Sequence, residues 1–311
     1  MIQARASREV LHPPAEGSGA SCGSMSADNR RPPLRIAALA LCLFGLFGAA
    51  VGLGLRAADA RTRLRYVPGP PAVPAAEVLA AEPNGWSFDH ARLDALLRAH
   101  VDSTGLVDYA GLSRESAALD AYLASLGSAP FEELERDEKL ALLINAYNAF
   151  TLRLILDHRP VASIKDIPSG KRWDDRRWRL AGETLSLNQI EHERIRPRFR
   201  EPRVHFALVC AARSCPPLRA EAYVGQRLEA QLADQTRRVH SDERWLQFDP
   251  ASRTLQLTKL YDWYGSDFLQ AAPSVEEYVA AREPSVRAAL ATGQRVKIRW
   301  LPYDWSLNER R

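Results

Sequence analysis

The stretch DEKLALLINAYNAFTLRLILDH, residues 137–158, carries the strongest helical pattern of this 311-residue sequence. At about 100° per residue, Lys139, Arg153 and Asp157 fall in one narrow sector, which predicts a solvent-facing stripe. The remaining positions are apolar nearly all round, which is typical of a helix buried in a core. The stretch therefore predicts one long buried helix.

Two asparagines, Asn145 and Asn148, lie among the leucines of this helix. A buried amide without a partner costs about 1–3 kcal/mol, so both side chains need hydrogen-bond partners. One interpretation is that they cap a loop or another helix end. The other is that they line a polar site and orient a catalytic group or a ligand.

Outward from this helix, helical and strand patterns alternate without a regular order. Two hairpins are predicted, one turning at Gly182 and one at Asp249-Pro250, and Ser186 with Gln189 matches a helix-opening capping box. The mixture predicts an α+β fold. We expect a single mixed domain with a long buried helix and a small, mainly antiparallel sheet.

The stretch RVHFALVCAARSCPPLR, residues 203–219, holds a histidine and two cysteines. Its first half has the composition of a buried strand. Strand alternation then directs His205 and Cys210 to opposite faces. Cys215 follows in a loop that can double back, so its partner is either His205 or Cys210.

Cys210 and Cys215 have three possible roles, and the sequence leaves them open. In an oxidising compartment the pair predicts a disulfide. A free Cys215 close to the His205 imidazole predicts a nucleophile, because the thiolate is the reactive form. The third role is that of a small buried apolar side chain. A zinc site is disfavoured, since the two cysteines and one histidine lack a clear fourth ligand at ordinary spacing. His192 could complete the set, so a metal-binding domain that uses His192, His205 and the two cysteines is a third option.

The first part of the chain has the pattern of an export signal or membrane anchor. Residues 1–35 are predicted as a disordered, basic region, and residues 36–55 form an uncharged stretch long enough to cross a bilayer. A Pro/Ala-rich linker, 56–86, then leads to a domain spanning 87–311. We expect a single-pass inner-membrane protein with this domain in the periplasm; the alternative is secretion after cleavage near Ala60.

The formal net charge is only +4, and acidic and basic residues are interleaved along most of the chain. Nucleic-acid binding needs a concentrated basic surface, so this class of partner is excluded. The expected partners are the membrane, through residues 36–55, and an unidentified envelope component or substrate. Neither a cofactor nor a metal is expected.

Several stretches together resemble the DUF547 family, a domain of unknown function found in bacteria and, fused to other modules, in plants. They include LVDYAGL, INAYNAFTL, SLNQIEH, LYDWYGSDF, YDWSLN and the cysteine stretch, and they cover residues 87 to 308. The family motif residues fall on Asn145, Tyr147, Asn148, Glu191, His192, His205, Cys210, Ser214, Cys215 and Pro216. The resemblance implies one domain and no established activity. Ala211 stands where glycine is expected after the first cysteine, which questions the turn there.

Two functional hypotheses follow. The first is a cysteine-dependent hydrolase or acyl transferase of papain- or transglutaminase-like character, with Cys215 or Cys210 as nucleophile and His205 as base. The orienting or oxyanion-stabilising group would be Asn145, Asn148 or Glu191. The second is a non-catalytic binding or scaffold module of the cell envelope, in which Cys210 and Cys215 form a structural clip. In that case the aromatic segments, such as the one with Trp263, Tyr264 and Phe268, bind a partner besides packing the core.

Overall fold

The computed structural model describes residues 85–310. These residues all belong to one of the two units of the chain, Pro68–Arg311. The predicted disordered region 1–35, the apolar stretch 36–55 and nearly all of the linker 56–86 lie outside the described residues. The predictions made for them therefore stay predictions.

Helices are the main secondary structure of the described chain. In chain order they are α1 Ala91–His100, α2 Tyr109–Arg114, α3 Ser116–Leu126, α4 Arg136–His158, α5 Ser169–Arg172, α6 Leu187–Gln189, α7 Leu228–His240, α8 Leu260–Trp263, α9 Gly265–Phe268, α10 Val275–Ala280 and α11 Pro284–Ala291. Helix α6 continues directly into a π-helical segment, Ile190–Ile195. Short 3₁₀ turns occur at Phe131–Glu133, Ile164–Asp166, Pro202–Phe206 and Gly225–Arg227.

Five short strands form two separate sheets within residues 85–310. They are β1 Trp178–Leu180, β2 Glu183–Leu185, β3 Leu246–Asp249, β4 Thr254–Leu257 and β5 Lys297–Trp300. Strands β1 and β2 form an antiparallel hairpin, and β3 pairs antiparallel with β4. Strand β5 joins the other edge of β4 in parallel. The mixed α+β character is thus confirmed, while the single predicted sheet is in fact two, one of them mixed.

The first hairpin shows how local sequence sets this fold. Ala181 and Gly182 both have positive φ, 48° and 80°, as a two-residue turn between twisted strands requires. The next residues open α6 with the predicted capping box. The Gln189 backbone N–H donates to Ser186 Oγ, and the Ser186 N–H donates to Gln189 Oε1. The hairpin and the capping box therefore lead directly into the π-helical segment Ile190–Ile195.

Helix α4 is the long buried helix predicted from the sequence. It is long and apolar enough to cross a membrane by composition, yet 83% of its most apolar window is buried inside the domain. Arg153 and Asp157 face outward and pair at 3.0 Å. Lys139 differs from the prediction: it is buried, with its Nζ 5.7 Å from the centre of the Phe131 ring.

The buried apolar residues form two clusters. The larger one surrounds α4 and includes the hairpin β1–β2 and the helices α1, α3 and α7. The smaller one lies between the sheet β3–β4–β5 and the helices α8 to α11. Val204 belongs to the larger cluster and Phe206 to the smaller one. His205 therefore lies where the two clusters meet.

Residues 301–310, which we call the strap, tie distant parts of the domain together. The Val107 N–H donates to the Asn308 carbonyl, and the Asn308 N–H donates to Ala211. The Leu307 N–H donates to Ala162. The Tyr109 hydroxyl donates to Asn308 Oδ1 across 199 residues of sequence. The strap thus connects α2, the segment after α4 and the cysteine loop.

Candidate functional site

Cys210 and Cys215 form a disulfide, with their Cα atoms 6.3 Å apart. The Cys210 backbone N–H donates to Cys215 Sγ at 3.0 Å. The Tyr303 hydroxyl, from the strap, lies 3.2 Å from Cys215 Sγ and 3.4 Å from Cys210 Sγ. Of the two partners that the sequence left open for Cys215, the structure thus joins it to Cys210.

The predicted strand before the disulfide is wrong. Residues Pro202–Phe206 form a 3₁₀ turn, which Pro202 opens and the Glu201 side chain caps by accepting from the Arg203 N–H. The following backbone bonds to the Asn148 side chain rather than to a neighbouring strand. The alternation argument that separated His205 from Cys210 therefore does not apply.

The tight turn that Ala211 put in question is present in the structure, with alanine in place of the expected glycine. The φ of Ala211 is +62°, in the left-handed region that favours glycine. This conformation reverses the chain, so that Cys215 returns to Cys210. The strap fixes the loop from outside: the Ser214 N–H donates to the Asp304 carbonyl, and the Asp304 N–H donates to Ser214 Oγ.

His205 lies in a buried network of charged groups. Its Nε2 is 2.8 Å from Asp267 Oδ2, and its Nδ1 is 4.0 Å from Glu191 Oε1. Its ring stacks on Tyr264, with the ring centres 3.8 Å apart. Asp267 is thus the hydrogen-bond partner of the His205 imidazole. Among the described residues, neither the Cys210 nor the Cys215 sulfur is hydrogen-bonded to this ring.

Arg196 completes the charge balance around Asp267. Its Nε and Nη2 donate to the two carboxylate oxygens at 2.7 and 3.0 Å. Burial opposes the ionisation of Asp267, but the hydrogen bonds from His205 and Arg196 outweigh it and hold its pKa well below the usual range. Arg196 also approaches His192, with Nη1 3.0 Å from Nδ1.

Glu191 occupies the other side of His205 and is only 3% exposed. The Tyr147 and Tyr264 hydroxyls each hydrogen-bond to its carboxylate. Burial, and then the charge of Glu191, raise the pKa of both tyrosines well above the usual range. Burial and Glu191 likewise raise the pKa of Tyr303, so all three hydroxyls stay protonated donors at neutral pH.

Asn145 and Asn148 each bind a loop backbone with both ends of the amide. Asn145 Nδ2 donates to the Tyr223 carbonyl at 2.7 Å, and the Tyr223 N–H donates to Asn145 Oδ1 at 2.9 Å. Asn148 Nδ2 donates to the Ala207 carbonyl, and the Val209 N–H donates to Asn148 Oδ1, both at 2.9 Å. Both amides therefore hold loops against α4, and Asn148 holds the segment that leads into Cys210.

A half-buried aromatic cluster adjoins the disulfide. Tyr303 packs against Trp263 and Trp305, with ring centres 4.8 and 4.6 Å apart. The Lys165 ammonium lies 4.2 Å above the centre of the Trp305 ring. Phe268, by contrast, is fully buried, as predicted for a core anchor. We call Trp263, Tyr303 and Trp305 the aromatic face.

Part of this site could be predicted from the sequence. Tyr147, Glu191, His205 and the two cysteines were among its motif residues, and the structure brings Tyr147, Glu191 and His205 into one network. Asp267, Arg196 and Tyr303 were missed as site residues. The signals were weak: Asp267 lies in the aromatic-rich YDWYGSDF segment, and Arg196 follows His192 by one helical turn. The catalytic assignment of Cys215, Cys210, His205, Asn145, Asn148 and Glu191 stays a prediction.

No metal site emerges from the described part of the chain. Among residues 85–310, no group of three or more histidine, cysteine, aspartate or glutamate side chains is placed to hold a metal ion. The Cys210 and Cys215 sulfurs are bonded to each other, and His192 lies against Arg196. The cysteine and histidine side chains considered for zinc thus have other partners.

The fold and the motif residues together define a class: an α+β domain built round a buried, asparagine-bearing helix and a cysteine loop. The family model described as "Protein of unknown function, DUF547" matches residues 131–238, from the 3₁₀ turn before α4 into the last turn of α7. The chain therefore carries a DUF547 domain. No match was found among curated proteins or among solved structures.

Proposed function

We propose that this chain is a membrane-tethered, periplasm-facing binding module of the cell envelope, in which Cys210 and Cys215 form a structural clip. One observation carries the proposal: both cysteine sulfurs of the domain are joined in a disulfide. A nucleophilic cysteine must be a thiolate, and a disulfide sulfur has no such form.

The groups that a thiol enzyme would use are engaged elsewhere. The His205 imidazole bonds to Asp267 and is covered by Tyr264. The amides of Asn145 and Asn148 bind loop backbone at both ends. These contacts favour a structural use of the same residues.

The disulfide also supports the proposed location. Disulfides persist in oxidising compartments such as the bacterial periplasm and are rare in the cytosol. The apolar stretch 36–55, with arginines before and after it, supplies the anchor in this proposal. The proline-rich residues 66–76 act as a semi-rigid spacer between anchor and domain.

The aromatic face is the contact surface that we assign to a partner. Trp263, Tyr303 and Trp305 are each half-buried residues, so the aromatic face is partly accessible to solvent. Tryptophan and tyrosine are enriched at binding surfaces because a rigid ring gives a large contact area at low entropic cost.

The first test is a free-thiol count on protein purified without reductant. We expect no reaction of Cys210 or Cys215 with a thiol reagent, before or after unfolding in urea. The double substitution Cys210→Ser and Cys215→Ser should lower the free energy of unfolding by about 2 kcal/mol, as estimated from closing so short a loop. Because Cys22 and Cys42 add thiols of their own, peptide mapping must locate the labelled residues. Free thiols at Cys210 and Cys215 in the native protein would overturn the clip.

The cysteine-dependent hydrolase is the alternative, and it requires a reduced Cys215. It predicts that either Cys210 or Cys215 of the untreated protein reacts rapidly with iodoacetamide at neutral pH, in a pH-dependent way. Equal and slow alkylation of both cysteines after reduction would remove this alternative, whereas rapid alkylation before reduction would favour it over the binding module.

A second test concerns the tether. Membrane fractionation should recover the full chain with the inner membrane, and protease added to the periplasmic side should digest the domain. Deletion of residues 36–55 should leave the protein inside the cell. A mature protein that begins after Ala60 and is recovered in the soluble periplasmic fraction would replace the anchor by a cleaved signal.

A further inference from the structure

The two sulfurs of the disulfide differ in their surroundings. Cys210 is partly exposed, whereas Cys215 is 4% exposed and belongs to the larger core cluster. An incoming thiolate needs access along the S–S bond, so Cys210 is the sulfur that it can reach. The sulfur at the other end then has to leave as a thiolate inside the protein.

Hydrogen-bond donors are already placed at the sulfur that would leave. The Cys210 N–H donates to Cys215 Sγ at 3.0 Å, and the Tyr303 hydroxyl lies 3.2 Å from the same atom. Donors that point at a developing anion stabilise it, and a better-stabilised leaving thiolate departs faster. The neutral form of Tyr303 keeps its proton available for this bond.

We propose that Cys210–Cys215 is a thiol-exchange site, attacked at Cys210 and released at Cys215, whose natural reactant is a dithiol protein of the envelope. This goes beyond the proposed binding function, because it concerns how the clip is made and opened.

The exchange balances as two displacements. A thiolate of the dithiol attacks Cys210 Sγ, the Cys210–Cys215 bond breaks, and Cys215 leaves as a thiolate. The second thiolate of the dithiol then attacks the sulfur that its partner placed on Cys210, and Cys210 leaves. The dithiol is oxidised to a disulfide, the cysteine pair is reduced, and the two protons pass through solvent to the cysteines.

Opening the clip removes the covalent link that closes the loop between the two cysteines. The strap still bonds to Ala211 and Ser214, and Asn148 still holds Ala207 and Val209. The change is therefore confined to the loop and to the adjacent aromatic face, to which Tyr303 belongs. Binding at that face would then respond to the thiol state of the compartment.

The test follows exchange of the full-length chain, purified in detergent without reductant, with glutathione. After quenching with N-ethylmaleimide, peptide mapping should find glutathione on Cys210 and maleimide on Cys215, in at least tenfold excess over the reverse arrangement. The matched pair Cys215→Ser and Cys210→Ser repeats the comparison with oxidised glutathione. We expect the remaining Cys210 to react at least tenfold faster than the remaining Cys215, and the two to react equally in urea.

Tyr303→Phe tests the leaving-group role, since it removes the hydroxyl and keeps the ring that packs on Trp263 and Trp305. Its reduction by dithiothreitol should be about tenfold slower, the effect of one hydrogen bond to a charged group. Attack at Cys215, or an unchanged rate in Tyr303→Phe, would contradict the proposed direction of exchange. Reduction only at the rate of global unfolding would overturn the exchange site and leave the binding module intact.

Discussion

At the scale of single residues, Ala211 is the clearest case of a residue type held in a backbone conformation that it disfavours. Its left-handed backbone lets the chain reverse between the two cysteines, and its side chain is buried. An L-residue in this region costs about 1–2 kcal/mol, which glycine avoids. The contacts of the loop must therefore offset this conformational free-energy cost at Ala211.

Ala211→Gly should raise the free energy of unfolding by about 0.5–1 kcal/mol, because relief of the left-handed strain exceeds the extra entropy of glycine in the unfolded chain. Urea unfolding measures this change. The matched control is Ala212→Gly, next along the chain and equally buried but without a positive φ. It should be destabilising by about 0.5–1 kcal/mol. Destabilisation by both would contradict the strain argument.

Asn148 gives the second prediction at this scale. Asn148→Ala leaves the Ala207 carbonyl and the Val209 N–H buried without their partner, so it should cost about 2–4 kcal/mol in urea unfolding. Asn188→Ala is the control, since that side chain bonds to Asp174 at the surface, and it should cost less than about 1 kcal/mol. Similar losses in the two variants would mean that Asn148 does not hold the loop.

At the scale of elements, local signals in the sequence were sufficient for α4, both hairpins and the capping box of α6. Periodicity, turn residues and the Ser186–Gln189 spacing are read within a few residues of chain. Residues 203–210 were predicted wrongly for the opposite reason. Their apolar, β-branched composition indicates burial, but their backbone conformation depends on Asn148, which lies about sixty positions earlier in the chain.

The start of α1 carries a titratable group that burial keeps neutral. His90, just before the helix, is 4% exposed, and its Nδ1 lies 2.8 Å from the Tyr122 hydroxyl of α3. Burial lowers the pKa of His90 to about 4, against a small opposing effect of Asp89. The contact between α1 and α3 therefore depends on a neutral imidazole.

Because the folded pKa lies below the unfolded value, this stability is complete above about pH 6.5 and is lost as the pH falls toward 4. The loss due to His90 should be about 3 kcal/mol, from 1.36 kcal/mol per pKa unit. His90→Asn keeps an acceptor for Tyr122 and does not titrate. Between pH 7 and pH 4, the free energy of unfolding measured in urea should fall less in His90→Asn than in the wild type, by that amount. If the free energies of the two proteins fell in parallel with pH, His90 would not be the group responsible.

At the scale of the whole molecule, the strap holds together parts that sequence patterns treat separately. It bonds to Val107, Ala162 and Ala211, and it supplies Tyr303 to the disulfide. The same scale explains why the site was predicted only in part. Tyr147, Glu191 and His205 belong to recognisable motifs, whereas Asp267 and Tyr303 reach them only once the two cores have packed.

Removal of residues 303–311 should therefore lower the free energy of unfolding by at least about 4 kcal/mol, since it takes the buried Leu307 side chain out of the core and leaves several buried backbone groups unpaired. Thermal unfolding and limited proteolysis measure the effect, and the first cleavages should fall in the cysteine loop. Removal of residues 310–311 alone is the control and should cost less than half as much. Equal effects would show that the strap acts through its last residues only.

The position of the strap at the end of the described chain also determines when the domain can finish folding during synthesis. A ribosome makes residues 301–310 after every other described segment, while their partners at Val107, Ala162 and Ala211 have long since emerged. The backbone groups of those partners stay unpaired until the strap has been synthesised, so the domain completes its folding late. Chains released before residue 301 keep the unpaired groups permanently and are ready substrates for quality-control proteases.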